Sequence, residues 1–405
     1  MSTARTASPR TARAINDRIA LELLVERGPL TATGLRELTG LSRPSVSDLL
    51  DRLGRSGLVQ VVGEAGEERR GPNAKVYGLV GERAHVAALD VRTGGVAFAF
   101  ADLTGATVGR GAVPVDGGAD AVGNVLAALD DARRAAGVPA FHTAVMGAPG
   151  LADPRTGALP PFGGLPGWHG ELLAALREGM AAPVLLENEV NLAGIAEHRV
   201  GAVRDRDTFV LIWLGHGIGA AVVLDGVLRR GASGGAGELG FLPVPGTGGL
   251  PSATDCDGGF HTQASSGAVC ALARRHGLSA GAGDDAAAAE AVVRAAAEEN
   301  AGAGNAGAEG GAAASATFLD ELAERVAVAI AGVAAVLDPG CVVLGGEVGR
   351  AGGAALAERV AARVRPLSPL ATEVRASTVA GSPVLNGALL TALDAAREAL
   401  FTSTA

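Results

Sequence analysis

The stretch from Ala88 to Gly105 contains an apolar run, a glycine pair and an alternating run, in the order expected of a strand–turn–strand unit that holds a phosphate. Such a unit needs small residues at its tight turn, because backbone N–H groups must approach the phosphate oxygens closely. Here Arg92 and Thr93 occupy the turn. The stretch therefore predicts the strands of a nucleotide site joined by a turn that no longer suits a phosphate.

A second set of chemically capable side chains lies in "LSRPSVSDLLDRLGRSG", residues 41 to 57. Apolar residues recur at helical spacing from Val46 to Leu53, Ser42 suits the N-cap, and Pro44 suits the first turn. The residues left outside this apolar face have the reach to contact base edges and phosphates. We expect the following to bind DNA: Ser42, Arg43, Pro44, Ser45, Ser47, Asp48 and Arg52.

The flanking segments predict the elements that position this helix. A helix over 13 to 28 places four apolar residues on one face: Ile15, Ile19, Leu23 and Leu24. A short helix follows from about Thr33 to Gly40, and the tight glycine-containing turn after it is typical of a helix-turn-helix. Two β-like runs, 58–62 and 74–80, then flank a loop whose tip carries Arg69 and Arg70, with Lys75 beside it. We expect this ribbon to be a DNA-binding wing; a protein-interaction module with solvated arginines is the alternative.

Charge is distributed unevenly along the 405 residues. Residues 1–80 hold 12 Lys/Arg and 9 Asp/Glu, whereas the whole chain has a net charge of −9. The first 80 residues, the head, are basic and the remaining residues, the body, are acidic. This difference suggests that only the head binds a polyanion. No apolar run is long enough to span a membrane, no secretory signal is recognised, and three dispersed cysteines do not form a disulfide framework. We therefore expect a cytoplasmic protein with free thiols.

From residue 84 onward, β-like runs alternate with Ala-rich helical stretches, which predicts an α/β fold. Two β-rich stretches, 85–150 and 208–243, suggest two lobes with a cleft between them. Residues 278–316 have low complexity, and we interpret 299–316 as a flexible surface loop because it lacks an apolar period.

Several phrases together resemble a known family. The head resembles the winged helix-turn-helix domains of bacterial repressors. The body resembles ROK proteins, which are repressors and sugar kinases with a two-lobed actin-like ATPase (ribonuclease H-like) α/β fold. The phrases that carry the second resemblance are "ALDVRTGGVAFAFADLTG", "MGAPGLADPRTG", "GLPGWHG", "LLENEVNLAGIAE", "LGHGIGAAVVLDGVLRRGASGGAGELGFLPV" and "DPGCVVLGGEVG".

This resemblance implies a division of the chain. A flexible arm covers 1–12 and the winged helix-turn-helix domain covers 13–82. The first lobe covers 83–200 together with a carboxyl-terminal helix over 385–402, and the second lobe covers 201–384, including 278–316.

The resemblance also implies which residues once did the chemistry. "GHGIG" keeps the glycines of the second phosphate turn, but the first turn has lost two glycines to Arg92 and Thr93. The position of the phosphotransfer base carries Glu189 in place of Asp, one methylene longer, and such a displacement lowers rates strongly. We therefore expect neither ATP binding nor catalysis.

Sugar and zinc sites are only partly kept in the same comparison. Asn188 and Glu238 match positions that contact sugar, and we also assign Glu189 and His261 to the ligand site. Phe241 and a glycine, Gly164, replace two polar contacts, so we expect weak, altered or absent sugar binding. The structural zinc site keeps Cys256 and offers His261, too few ligands for a closed site, so we expect no zinc.

These expectations favour a ROK transcriptional regulator, most simply a repressor, that binds a palindromic double-stranded operator as a dimer or tetramer. A sugar-like effector in the cleft would bias the DNA-binding state. The alternative is an ATP-dependent, glucokinase-like sugar kinase with an accessory DNA-binding head.

Overall fold

The structure is a computed structural model that describes residues 9–65, 74–115, 120–153, 155–159, 166–281, 283–302 and 309–402. Within these residues the helices are α1 (Pro9–Arg27), α2 (Ala32–Thr39), α3 (Arg43–Arg55), α4 (Ala121–Ala135), α5 (Trp168–Gly179), α6 (Glu189–Val200), α7 (His261–Ala264), α8 (Ser266–Arg275), α9 (Ala286–Gly302), α10 (Glu309–Leu337), α11 (Gly346–Val364) and α12 (Pro383–Thr402). The strands are β1 (Leu30–Thr31), β2 (Val59–Ala65), β3 (Ala74–Leu79), β4 (His85–Arg92), β5 (Gly95–Asp102), β6 (Thr107–Pro114), β7 (Thr143–Ala148), β8 (Val184–Asn188), β9 (Phe209–Leu214), β10 (Ile218–Leu224), β11 (Val227–Leu228), β12 (Cys341–Gly345) and β13 (Glu373–Ala376).

The head contains the predicted helix-turn-helix, formed by α2 and α3. Both helices begin at a side-chain cap: Thr31 Oγ1 accepts a hydrogen bond from the Gly34 N–H at 3.1 Å, and Ser42 Oγ accepts one from the Ser45 N–H at 3.3 Å. Gly40, in the left-handed region at φ +69°, ends α2. Because these caps satisfy backbone donors that a helix start leaves free, the two helices have defined ends and a fixed turn between them.

Helix α1 buries the carboxyl-terminal part of the predicted face, Leu24 with Leu23 partly buried beside it, but not the amino-terminal part. Leu21 and Leu24 are buried, and Asp17 is only 3% exposed, whereas Ile15 and Ile19 are 51% and 40% exposed. The prediction of a buried face containing Ile15 and Ile19 was wrong. Two overlapping apolar stripes run along α1, and sequence spacing alone does not say which of them packs against α2 and α3.

The wing is a three-stranded antiparallel sheet in the order β1-β3-β2. Strands β2 and β3 pair along their lengths, with Glu64 opposite Lys75 near the open end. Residues 66–73, which include the predicted basic tip at Arg69 and Arg70, lie outside the described residues.

The two lobes are built on two five-stranded sheets with the same topology. The first lobe has the order β6-β5-β4-β7-β8 and the second has the order β11-β10-β9-β12-β13. In each sheet the first three strands of the lobe pair antiparallel and the last two join in parallel. Their central strands are apolar and buried on both faces, as parallel strands covered by helices require. The two-lobed α/β fold is therefore confirmed.

Two helices cross between the lobes at equivalent places in this duplicated topology. Helix α6 follows the last strand of the first lobe and leads to β9, and α12 follows the last strand of the second lobe and returns to the first. The two helices pack together, with Leu192 of α6 and Val384 and Ala388 of α12 in one buried cluster. Gly387 of α12 lies so close to the Leu192 carbonyl that no side chain would fit there.

Helices α7 to α11 cover one face of the second sheet. Residues 309–316 form the start of α10 and 299–302 form the end of α9, so the interpretation of 299–316 as a flexible loop was wrong for those parts. Alanine has the highest helix propensity of all residues, and long-range packing of Phe318 and Leu319 supplies the burial that the local pattern lacks. Residues 303–308 lie outside the described residues.

Head and body share one apolar cluster. Leu400 and Phe401, at the end of α12, pack with Leu21, Leu49 and Leu53 of the head. The head is therefore docked onto the last helix of the chain rather than joined only by a linker. Among the described residues, no helix combines the length and apolarity that crossing a membrane demands.

Candidate functional site

The amino-terminal part of α3 presents an exposed polar surface on the head. Arg43, Ser45 and Ser47 are exposed, while Val46 and Leu49 on the opposite face are buried. Arg43 makes no hydrogen bond or ion pair with any residue that the structure describes. The surface therefore offers an unpaired arginine side chain and exposed hydroxyls, of which Ser45 Oγ shares a hydrogen bond with Ser42 Oγ at 2.8 Å. They lie at a helix start, where anions are also favoured by the helix dipole. Of the other residues predicted to bind DNA, Ser42, Pro44, Asp48 and Lys75 are exposed as well.

Arg52 has a different position from the one that its sequence context suggested. Its guanidinium donates two hydrogen bonds to the buried carboxylate of Asp17, at 2.6 and 3.2 Å, and a third to Asp48. The hydrogen bond to Asp17 raises the pKa of Arg52. Arg52 therefore fixes the recognition helix α3 against α1, and its donors are engaged within the head rather than directed at a partner.

A cleft of about 1180 Å³ lies between the lobes. Its wall contains all four residues predicted from the resemblance to meet a ligand: Asn188, Glu189, Glu238 and His261. Asn188 is the last residue of β8 and Glu189 the first of α6, and the other two come from the segment after β11 and from α7. Residues that are 73 positions apart in sequence thus face the same space.

The first turn of the nucleotide site is occupied by the protein's own side chain. Arg92 Nε donates to Asp90 Oδ1 at 2.6 Å, and its guanidinium lies 5.2 Å from the centre of the Trp213 ring in the second lobe. Arg92 Nη1 is also 3.9 Å from Glu347 Oε1. Burial lowers the pKa of Arg92, but the surrounding carboxylates of Asp90, Glu189 and Glu347 outweigh it and leave the pKa raised.

The second turn is occupied as well. The carboxylate of Glu347, the second residue of α11, lies against Gly215 so closely that a side chain at Gly215 would collide with it. Its Oε2 is buried and accepts no hydrogen bond from the described residues. A triphosphate would have to displace this negative charge and the Arg92 side chain together. The residues present therefore do not fit the phosphates of a nucleotide.

Glu189 is the cleft residue whose protonation is most perturbed. Burial raises the pKa of Glu189 to about 7; Arg92 lowers it, while the carboxylates of Asp90 and Glu238 raise it. Asn188 Nδ2 donates to Glu189 Oε2 at 3.1 Å. The carboxyl group therefore gains or loses a proton near neutral pH, which makes the charge of the cleft sensitive to pH and to any ligand beside it.

The zinc site implied by the resemblance is not supported by the donors present. Cys256 and His261 both lie against Gly240 in the cleft wall. Burial raises the pKa of the Cys256 thiol and lowers that of His261. Across the part of the chain that the structure describes, no three His, Cys, Asp or Glu side chains are grouped to hold a metal ion. A closed zinc site needs four such ligands, so these residues do not fit one.

Three residues of these sites were not recognised from the sequence. Asp17 was hidden among the polar residues of α1, and its long-range pairing with Arg52 leaves no local signal. Glu347 interrupts a run of glycines in "LGGEVG", which is a signal that the pattern did contain. Ser382 donates a hydrogen bond to Asp90 at 3.2 Å from a loop 292 residues away.

Two family models match the chain. The ROK family matches residues 86–393 and the MarR family matches residues 16–70. The first match covers the body from β4 into α12, and the second covers the helix-turn-helix and the first strand of the wing.

Individual relatives include both enzymes and regulators. The bifunctional enzyme NanE/NanK of Brucella melitensis is 36% identical over 201 residues, which are 50% of this chain and 32% of that enzyme. The xylose repressor of Bacillus subtilis is 23% identical over 235 residues, 57% of this chain and 60% of the repressor. The chain thus aligns with less than two thirds of the length of these relatives.

A solved structure agrees over almost the full length. A ROK family transcriptional regulator, described as a homolog of the E. coli MLC protein, matches with a TM-score of 0.70 and 19% identity, over 97% of this chain and 98% of that one. At this identity the likeness concerns the fold alone. Because the ROK model matches most of the chain, and a MarR-type winged helix precedes it, the chain belongs to the ROK family and carries a winged-helix DNA-binding head.

Proposed function

We propose that the chain is a transcriptional repressor of the ROK family that binds a palindromic DNA operator and senses a small polar ligand in its interlobe cleft. The DNA-binding part of the proposal is supported by the exposed start of α3. There the side chains of Arg43 and Ser47 project without a partner among the described residues, Ser45 is exposed and shares a hydrogen bond with Ser42, and Arg52 holds the helix in place. A single recognition helix contacts few base pairs, so two copies related by a two-fold axis would be needed for a specific operator.

The proposed binding of a small polar ligand is supported by the side chains that line the cleft. Glu189 and Glu238 offer two carboxylates to ligand hydroxyls, and Arg92 and Glu347 fill the phosphate turns. Asn188 lines the cleft and positions this region, because its amide caps α6 and donates to Glu189. These features support binding of a small polyol without phosphorylation and without ATP or zinc as a cofactor. We place such a regulator in the cytoplasm, where its DNA is.

Selection of duplexes from a random pool by the full-length protein tests the DNA-binding half. Binding to the enriched duplex is then measured by fluorescence anisotropy at several salt concentrations. We expect affinity to fall steeply with salt, and Arg43→Ala to weaken binding to the enriched duplex by about 10- to 100-fold while hardly changing binding to a scrambled one. Arg155→Ala, an exposed arginine of the body, serves as the control. If no duplex is enriched, or if binding does not depend on salt, the proposal is wrong.

Thermal unfolding and DNA affinity in the presence of glucose, N-acetylglucosamine or xylose test the sensing half. A ligand that binds the folded protein raises its melting temperature by mass action. If none of the three sugars changes either quantity, a polyol effector of this kind is wrong.

The second candidate is an ATP-dependent sugar kinase with an accessory head. An enzyme among the relatives and a carboxylate at Glu189 favour it, whereas the charges of Arg92 and Glu347 in the phosphate turns oppose it. Coupled ADP release with the same three sugars distinguishes the two: sustained turnover would establish the kinase.

A further inference from the structure

Helix α12 extends from the cleft to the head. At its start, Ser382 Oγ donates to Asp90, the same carboxylate that accepts from Arg92, and Ser382 and Pro383 line the cleft. At its end, Leu400 and Phe401 pack in the core of the head. Twenty residues of α-helix span about 30 Å, so one rigid element joins two places that are far apart.

The helix is packed in a way that resists bending. Every fourth residue along one face is buried, which forms a continuous stripe from the cleft to the head: Val384, Ala388, Ala392, Ala396 and Leu400. Gly387 brings its backbone into direct contact with α6 at Leu192. Small side chains and close backbone contact leave little freedom for local adjustment, so a displacement at one end is transmitted along the helix.

The start of α12 is also tied to the angle between the lobes. The segment 377–382 leads from β13 of the second lobe into α12 and is held by Glu197 of α6, which is fully buried. Glu197 accepts hydrogen bonds from the Ser377 hydroxyl and from the Val379 N–H at 3.2 Å. Helices α6 and α12 are the two helices that connect the lobes. A rotation of one lobe against the other therefore displaces α6 and α12 together.

The other end of α12 contacts the elements that orient α3. Glu398 accepts two hydrogen bonds from Arg18 of α1, at 3.0 and 2.6 Å, and the neighbouring Asp17 holds Arg52 of α3. A cavity of about 250 Å³, lined by Asp17, Arg52 and Leu400 among others, lies at this junction. The junction thus combines fixed polar contacts with space into which Leu400 can shift.

We propose that α12 is the rigid element that couples the cleft to the recognition helix, so that the lobe angle set at Arg92 and Ser382 determines the orientation of α3. This inference rests on the proposed function, because it assigns a route between the proposed ligand site and the proposed DNA-binding surface. The coupling through α12 does not depend on the identity of the cleft ligand or of the DNA.

Hydrogen exchange of the full-length protein, measured by mass spectrometry, tests the claim without a ligand. Arg92→Ala removes the contacts of Arg92 with Asp90, Trp213 and Glu347. We expect it to accelerate exchange by at least about fivefold in peptides of α1 and α3, the lower end of typical coupling effects. Exchange in α4, which packs in a different apolar cluster from α12, should stay the same.

A second substitution determines whether α12 carries the effect. In a Leu400→Ala background, we expect Arg92→Ala to leave exchange in α3 unchanged, because the docked end of the helix has lost its packing. Leu393→Ala, the same deletion on the same helix but facing the first lobe, should preserve the response. If Leu400→Ala unfolds the head, Glu398→Ala is used in its place as a milder change. This substitution at an exposed position removes the contact between α12 and Arg18 of α1.

The outcomes separate the two proposals. No change in α1 and α3 after Arg92→Ala, or an equal change in the Leu400→Ala, Glu398→Ala and Leu393→Ala backgrounds, would overturn the role of α12. Failure of the wild-type protein to enrich any duplex would overturn the proposed DNA binding and leave the exchange result to stand by itself.

Discussion

Glu189 should make the stability of the protein depend on pH near neutrality. Its pKa is raised from 4.5 to about 7 in the folded protein. Between these values the folded protein binds a proton that the unfolded chain releases, so the contribution of Glu189 to stability is present below pH 4.5 and is lost as pH rises through 7. From pH 5 to pH 8 this loss amounts to about 2 to 3 kcal/mol.

Glu189→Gln tests this reasoning, because glutamine keeps the size of the side chain and does not ionise. Relative to the wild type, we expect the variant to gain about 2 to 3 kcal/mol in apparent free energy of unfolding between pH 5 and pH 8. Urea unfolding followed by the fluorescence of Trp168 and Trp213 gives the measurement. Glu178→Gln, at an exposed position of α5, is the control and should show no such gain. If the difference between Glu189→Gln and wild type is equal at both pH values, Glu189 does not titrate as the cleft requires.

Two further substitutions test other parts of the site. Asp17→Asn removes the buried carboxylate that Arg52 binds, while Arg52 keeps its contact with Asp48, so we expect a cost of about 1 to 3 kcal/mol to the head. This cost should be seen as faster hydrogen exchange in α1 and α3, and Asp51→Asn should cost little. Replacing Arg92 and Glu347 together by glycine should open both phosphate turns. We expect isothermal titration to detect Mg·ATP binding to the double variant and none to the wild type; no binding to either protein would contradict the view that these two side chains exclude the nucleotide.

The sequence predicts best where structure is determined by neighbouring residues. The cap at Ser42, the stop at Gly40 and the buried face of α3 each depend on residues within one or two turns, and all three are found as expected. Chain composition and the order of β-like runs likewise suffice for the two-lobed fold, since the central strands, such as β7 and β9, are almost entirely apolar and are buried along their whole length.

The sequence predicts poorly where long-range packing chooses between local alternatives. Ile15 and Ile19 have the spacing of a buried face, but the body and α3 pack on the other stripe of α1, where Asp17 binds Arg52 across 35 residues of sequence. The same limit applies to the cleft. The resemblance assigned Glu189 and His261 to one site. The charge of Glu347 within "LGGEVG" was visible in the sequence, but its contact with Gly215, 132 positions away, depends on long-range packing.

The two charges in the phosphate turns are best understood as a pair. Arg92 without Glu347 would have Asp90 and Glu189 as the carboxylates that balance its charge. Glu347 without Arg92 would be a partly buried carboxylate without the cation of this contact. Together they form a contact of 3.9 Å that crosses from one lobe to the other. Both side chains keep about a third of their surface exposed, so the contact contributes only about 1 kcal/mol or less. A contact of that strength opens readily, which is the property that a cleft needs if it is to admit a ligand and change its lobe angle in response.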